Sequence, residues 1–324
     1  MKPPANGNRP DLKVSLIATV KDAGPHVRHF LASVRGQTRR PDEVVIVDGG
    51  SGDGTLEELR MADDVVVIEE RGANISRGRN VAIRAATHDV IAVADADCTL
   101  APDWLERILE PFEGGAKVVA GAYQPVAVSD WQVAAGAHIP DPEELRPGWL
   151  PSSRSLAFRR EAFDAVGGYP EWLEVGEDMY LNHRWVEAGV PIELAPGAVT
   201  LWPVRRTLRA TWRQYVRYAE GDALARMYPE RHVLRFATYF GAAAAIASRR
   251  PWALVALGAA GALYVQKPVR RAWTRARPGR SVMAATMVPG LTAFLDAAKM
   301  AGYVKGVLRR RASGRRKPVS EPLR

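Results

Sequence analysis

Two aspartates separated by one residue, Asp95 and Asp97, close an apolar run at 89–94. If a strand ends there, both carboxylates are presented together. Hard oxygen ligands of that kind suit Mg²⁺ or Mn²⁺, which take one or two protein carboxylates and complete their shell with water and substrate phosphates. An ion held this way offsets the charge that builds on a departing diphosphate. An Asp-x-Asp triplet also arises by chance in a chain of this length, and its plain reading is a solvated turn. The position at the end of an apolar run favours the chemical reading.

Three further places carry candidate chemistry, each with a plainer alternative. Asp48 closes an earlier apolar run, 43–47, and leads into a glycine- and serine-rich turn at 49–54. It is either a turn aspartate or an acceptor for a base N–H or a ribose hydroxyl, with glycines that let a nucleotide approach the backbone. Arg77, Arg79 and Asn80 fall in the first turn of a helix expected to be capped by Ser76. Guanidinium groups at a helix N-terminus suit a diphosphate, and the same residues also describe an exposed basic face. Glu177 and Asp178 open another expected helix. Acidic residues suit the helix dipole there; alternatively Asp178 is a general base for an acceptor hydroxyl.

Other chemistries are argued against. The six histidines make no metal-ligand spacing, there is no Walker-A lysine, and no G-x-G-x-x-G follows the first apolar run, which speaks against a dinucleotide dehydrogenase. The single cysteine, Cys98, rules out an intramolecular disulfide and a Cys-based zinc site, and fits a reducing cytoplasmic setting.

The elements that must position these residues follow from periodicity. Residues 14–20, 43–47, 65–68 and 89–94 read as strands. Between them lie helical stretches at 25–36, with Val27, Phe30, Leu31 and Val34 on one face, at 55–60, and at 76–86. This alternation predicts an α/β fold with a mainly parallel, doubly wound sheet, in which ligands bind outside the carboxyl ends of the strands. Asp48 and Asp95 both stand at such ends. Strands are also expected at 117–126, 153–159, 191–194 and 198–202, a loop or short helix at 130–151, and a helix at 177–188.

From about residue 206 the character changes. The first 199 residues hold 20 Lys/Arg against 31 Asp/Glu; residues 200–324 hold 25 against 5. The basic excess therefore belongs to the C-terminal part. It is interleaved with Trp-, Ala-, Leu- and Val-rich runs, which points to an anionic membrane surface and away from nucleic acid. A cationic amphipathic helix is expected at 207–227. The apolar runs 236–247 and 252–265 are shorter than the ~20 residues that cross a bilayer. A third, 281–304, is long enough but carries Asp296 and Lys299. Interfacial or re-entrant helices are the expectation, with true membrane spans or an ordinary helical subdomain as the alternatives. The predicted organisation is a disordered 1–11 without the apolar run of a secretory leader, a catalytic domain at 12–205, a helical membrane-associating region at 206–308, and a basic disordered tail at 309–324.

Taken together, four ordered motifs over residues 12–190 resemble the family 2 glycosyltransferases of GT-A fold. They are Val14–Asp22; Glu43-Val-Val-Ile-Val-Asp48-Gly-Gly-Ser51-Gly-Asp53-Gly-Thr55 with Ser76-Arg-Gly-Arg79-Asn80; Asp89-Val-Ile-Ala-Val-Ala-Asp95-Ala-Asp97; and Phe163-Asp-Ala-Val-Gly167-Gly168-Tyr169 followed by Glu177–Asp178. The resemblance implies that Thr19 and Asp48 contact the nucleobase and that Arg79 lies near the nucleotide or its diphosphate. It implies that Asp95 reaches the ribose or metal, that Asp97 holds Mn²⁺ or Mg²⁺, and that Asp178 is the base with Glu177 beside it. The implied reaction is inverting transfer from a nucleotide-diphosphate sugar to a lipid-linked or saccharide acceptor at the cytoplasmic face of the membrane. The Gln-x-x-Arg-Trp signature of processive synthases is absent; Trp212-Arg-Gln-Tyr-Val-Arg217-Tyr218 stands in roughly its place. Competing readings are transfer to polyprenyl phosphate itself, a sugar nucleotidyltransferase, and a membrane-docked module with a decayed site. The last two fit poorly, because no Gly-rich basic loop follows the first strand and the aspartates are intact.

Overall fold

A computed structural model describes residues 12–312. The expectations for 1–11 and for 313–324 lie outside the described residues. The elements run β1 (Val14–Val20), α1 (His26–Arg35), β2 (Glu43–Asp48), α2 (Thr55–Arg60), β3 (Val66–Glu69), α3 (Ile75–Ala85), β4 (Val90–Val93), β5 (Thr99–Leu100), α4 (Trp104–Leu109), β6 (Val118–Val126), α5 (Asp130–Gly136), β7 (Leu156–Arg159), α6 (Arg160–Asp164), α7 (Glu177–Glu187), β8 (Ile192–Pro203), α8 (Leu208–Ala225), α9 (Pro229–Ser248), α10 (Pro251–Arg275) and α11 (Ser281–Ala312). The described residues form two compact units, one of residues 12–124 with 142–202, the other of 125–141 with 203–312.

The first unit is built on a mixed sheet of order β3-β2-β1-β4-β7-β6-β8-β5. The β3-β2-β1-β4 half is parallel, as the βα rhythm predicts. β7 runs antiparallel to β4 and to β6, and β5 antiparallel to β8. The two short strands expected at 191–202 are one strand, β8. Alternation sorts the core onto two faces. Leu16, Ala18, Ile46 and Ala92 pack with Phe30 and Val34 of α1 and Trp104 of α4. Ile17, Val45, Val47 and Val93 pack with Ala82 and Ile83 of α3 and Leu181 and Trp185 of α7. The register pairs Val20 with Asp48 and Ile17 with Val93, so the C-terminal ends of β1, β2 and β4 form one edge.

The second unit is helical. Of the segment 130–151, residues 130–141 belong to this unit and contribute α5, and the short apolar runs lie inside the longer helices α9 and α10. α8 and α11 approach backbone to backbone: a methyl group added at Gly302 would meet the Val216 carbonyl oxygen at 2.1 Å, and one at Gly306 the Glu220 carbonyl oxygen at 2.6 Å. Asp296, buried in α11, accepts from Arg235 Nε at 2.8 Å, Tyr264 OH at 2.9 Å and Tyr239 OH at 3.2 Å. That network ties α9 and α10 to α11, and Lys299 Nζ stands 3.7 Å from the same carboxylate. The polar residues that interrupt the third apolar run are therefore paired inside the unit. α11 is the one described helix long and apolar enough to cross a membrane, with 44% of its most apolar stretch buried in the protein.

Candidate active site

The site is assembled at the C-terminal edge of the parallel strands, where loops leave the sheet. α3 sets its geometry. Asn74, not Ser76, caps this helix, its side chain accepting from the Arg77 N–H at 2.9 Å. Ser76 is buried in the first turn and donates to the Leu173 carbonyl at 3.1 Å. Asn80 donates to the Tyr169 carbonyl at 2.9 Å and accepts from the Tyr169 N–H at 3.1 Å. These bonds bind α3 to segment 169–173, just ahead of α7. On its other side α3 presses on β1: a methyl group at Gly78 would stand 2.8 Å from Thr19 Cγ2. Only glycine lets the helix come this close.

Arg79 is the centre of this assembly. Its side chain is 2% exposed, and it donates to Glu177 Oε1 and Asp95 Oδ1, both at 2.6 Å. Its guanidinium lies 5.2 Å from the Tyr169 ring centroid. Burial alone would lower its pKa, but the Asp95 carboxylate and its neighbours outweigh that and raise it, so it stays charged. Glu177 is the complement. Burial first, then the like charge of Asp178, pushes its carboxyl up to about 7, against the pull of Arg79. The structure brings Asp95, Arg79 and Glu177 into one network; two N–H arms of Arg79 expected near a diphosphate are spent on protein carboxylates, and Glu177 faces Arg79. Arg77 pairs with Glu70 at 2.6 Å on the surface.

Asp178, next to Glu177 at the start of α7, stays partly exposed. Its Oδ1 accepts from the Met179 N–H at 2.8 Å and its Oδ2 from the Ser153 N–H at 3.4 Å. Gly176 at the helix N-cap has φ +86°, a conformation glycine adopts without strain. In the helix it opens, successive side chains point about 100° apart, so Glu177 turns inward while Asp178 stays partly exposed. Asp48 is fully buried, and its Oδ1 accepts from the Gly50 and Ser51 N–H groups at 2.8 and 2.9 Å. Its plainer role as the aspartate that shapes the turn is thus realised. Thr19 is partly exposed on the strand next to it.

Asp95 and Asp97 follow β4 as partly exposed residues. Asp97 Oδ1 lies 3.6 Å from Cys98 Sγ; burial raises the Cys98 pKa well above its usual value, and Asp97 and Asp95 add to the shift, so the thiol stays a donor. Among the described residues no group of three or more His, Cys, Asp or Glu side chains is arranged to hold a metal. The pair nonetheless fits a hard divalent ion that takes two carboxylates and shares substrate phosphates. Charge supports the fit. Asp95 and Asp178 act on the Arg79 cation and Asp97 and Asp95 on the adjoining Cys98, so carboxylates gather at this strand end, where a divalent cation offsets them.

Arg154 escaped the sequence reading, since nothing in Pro151-Ser-Ser-Arg154-Ser155 has a periodic or spacing cue. It enters the site through its Nε, 3.7 Å from Asp95 Oδ2.

Residues 15–166 match the family model described as glycosyl transferase family 2. They form a family 2 glycosyltransferase domain. The succinoglycan biosynthesis protein ExoA of Rhizobium meliloti is 32% identical over 198 residues, which are 56% of this chain and 59% of that one. An N-acetylglucosaminyl-diphospho-decaprenol L-rhamnosyltransferase of Mycobacterium tuberculosis is 27% identical over 231 residues, 57% of this chain and 74% of its own. The solved mannosyltransferase PcManGT from Pyrobaculum calidifontis, in complex with GDP-Man and Mn²⁺, shares the fold with a TM-score of 0.58 at 20% identity, over 95% of this chain and 91% of that one. The family 2 domain thus has the GT-A fold, and the protein is a glycosyltransferase.

Proposed function

We propose that the protein transfers one sugar from a nucleotide-diphosphate donor to a hydroxyl of a lipid-linked or glycan acceptor, with inversion at the anomeric carbon. The observation that carries this reading is the divergence of Glu177 and Asp178. Glu177 is buried on Arg79, while Asp178 remains partly exposed and is oriented by two backbone N–H groups. Asp178 takes the proton of the acceptor hydroxyl as its oxygen bonds to the anomeric carbon and the bond to the diphosphate breaks on the opposite side. Asp95 and Asp97 would hold Mn²⁺ or Mg²⁺, which when bound supplies charge stabilisation to the diphosphate. Arg79 keeps Asp95 in place, and the turn that Asp48 shapes lines the same strand edge as Thr19, where a nucleoside would lie. Relatives that act on a diphospho-decaprenol acceptor or in succinoglycan assembly support a lipid-linked or glycan acceptor.

The helical unit supports a membrane setting. α9 and α10 display Phe240, Ile246, Trp252, Val255 and Leu263 to solvent, with Phe240 68% and Val255 72% exposed. Such helices are at home in a lipid interface, and the Arg249–Arg250 pair between them suits anionic headgroups.

Calorimetric titration with UDP, GDP and TDP, in Mn²⁺ and in EDTA, tests the donor site. One nucleotide should bind only with metal, and Asp97→Ala should abolish that binding. Asp178→Asn should lower the transfer rate by roughly 10²–10⁴-fold with nucleotide affinity kept. A variant that transfers at nearly the full rate would instead mean an acceptor that is already an anion, as a polyprenyl phosphate is.

A further inference from the structure

We propose that Arg154 binds a phosphate oxyanion of a reactant beside the Asp95–Asp97 pair. This rests on the transferase reading and assigns to Arg154 the contact that the sequence pattern suggested for Arg79.

Two arginines meet Asp95, and they are built differently. Arg79 is 2% exposed and its N–H arms reach Glu177 and Asp95. Arg154 is 15% exposed, on the segment leading into β7. Its guanidinium lies 5.3 Å from the Tyr123 ring centroid and 5.0 Å from that of Trp202. The two rings stand at 87° to each other and attract the cation through their π faces; the planar guanidinium fork is the group that matches phosphate. One arm is anchored, NH1 donating to Ser152 Oγ at 2.8 Å. The neighbouring Ser153 N–H reaches Asp178. Segment 152–154 therefore touches both the Asp95 carboxylate and the candidate base, which sets Arg154 beside the leaving diphosphate of the proposed reaction.

A second observation points to an oxyanion. Trp202, 6% exposed, has a buried indole N–H that meets no acceptor among the described residues. Buried donors are rarely left unmet. The Arg154 cation lies over this same ring, 5.0 Å from its centroid, and with a divalent ion on Asp95 and Asp97 the local charge no longer repels an anion beside it.

The oxyanion has two sources, the donor's diphosphate or the phosphate of a lipid-linked acceptor, and the test separates them. Arg154→Gln is titrated with the nucleoside diphosphate that the wild type binds in Mn²⁺, and its KM for a lipid-linked acceptor is measured alongside. A rise in the nucleotide Kd of roughly 10–100-fold, the effect of losing a hydrogen bond to a charged group, assigns the donor diphosphate. An unchanged Kd with a comparable rise in acceptor KM assigns the acceptor phosphate. Arg154→Lys, which keeps the charge and loses the planar fork, should recover part of either loss. Should Arg154→Gln fail to fold, Arg154→Lys and Trp202→Phe, the latter deleting the indole N–H, carry the same measurements. Folded variants with both constants unchanged overturn the proposal. A wild type that binds none of UDP, GDP and TDP with Mn²⁺, or binds them equally after Asp97→Ala, overturns the transferase reading itself and is thus a separate failure.

Discussion

Replacing Arg79 with methionine tests the internal logic of the site. The substitution roughly preserves side-chain volume and deletes both 2.6 Å bonds, leaving the buried Glu177 without this cation and Asp95 with its 3.7 Å approach to Arg154. Removing one partner of a buried ion pair costs about 3–5 kcal/mol. For a chain of 324 residues, unfolding with an entropy of about 2.1 cal/mol/K per residue, that corresponds to a fall in Tm of roughly 4–7 °C. The loss depends on pH, because Glu177 can escape by taking a proton. Its folded pKa, about 7, is raised above the ordinary 4.5. A carboxyl raised on folding favours the folded state while protonated, and that contribution is lost as pH rises from the unfolded value through the folded one. Without Arg79 the folded value moves higher still, so the variant goes on losing stability above pH 7 where the wild type has levelled off. Thermal unfolding followed by circular dichroism should therefore show a larger Tm deficit near pH 8.5 than near pH 6. Adding Glu177→Gln should restore much of the deficit at the higher pH, a coupling that a double-mutant cycle reads directly. A deficit below about 1 kcal/mol, or one that is flat with pH and simply additive with Glu177→Gln, would refute the network as the organiser of the site.

Gly78→Ala places a methyl group 2.8 Å from Thr19 Cγ2, so α3 must shift from β1. It should cost about 1–3 kcal/mol in denaturant unfolding and weaken nucleotide binding, whereas Gly52→Ala, where nothing lies within 4 Å, should do neither. Gly302→Leu drives a side chain into the Val216 backbone and should separate α8 from α11, read as loss of protection of α8 amides in hydrogen exchange. If α9 and α10 meet lipid, Trp252, 66% exposed, should shift its fluorescence to the blue with phosphatidylglycerol vesicles and much less with phosphatidylcholine. Trp252→Ser with Val255→Ser should reduce vesicle co-sedimentation without changing soluble nucleotide binding; equal co-sedimentation of the double variant would remove these helices from the membrane contact.

Much of the first unit was legible because its signals are local. The apolar face of α1 and the endings of β2 and β4 at Asp48 and beside Asp95 follow from periodicity and from the chemistry of residues adjacent in the chain. The same locality let Gly176, Glu177 and Asp178 be read as a helix start. It could not say which of the two carboxylates turns inward, since both suit the helix dipole equally well. That was decided by Arg79, 98 residues earlier, whose burial on Glu177 leaves Asp178 exposed.

What the sequence determined by itself is the set of groups and the ends of the strands that carry them, since side-chain chemistry and backbone period are properties of short segments. What only the tertiary structure decided is pairing. Whether Arg79 meets a substrate or a carboxylate, whether β7 runs with or against β4, and that Arg154 comes to lie between Tyr123 and Trp202 all depend on contacts between distant segments. Such contacts leave no period or spacing in the chain. They are selected by how well buried charges are met and by how closely glycines such as Gly78 and Gly302 let the backbones approach.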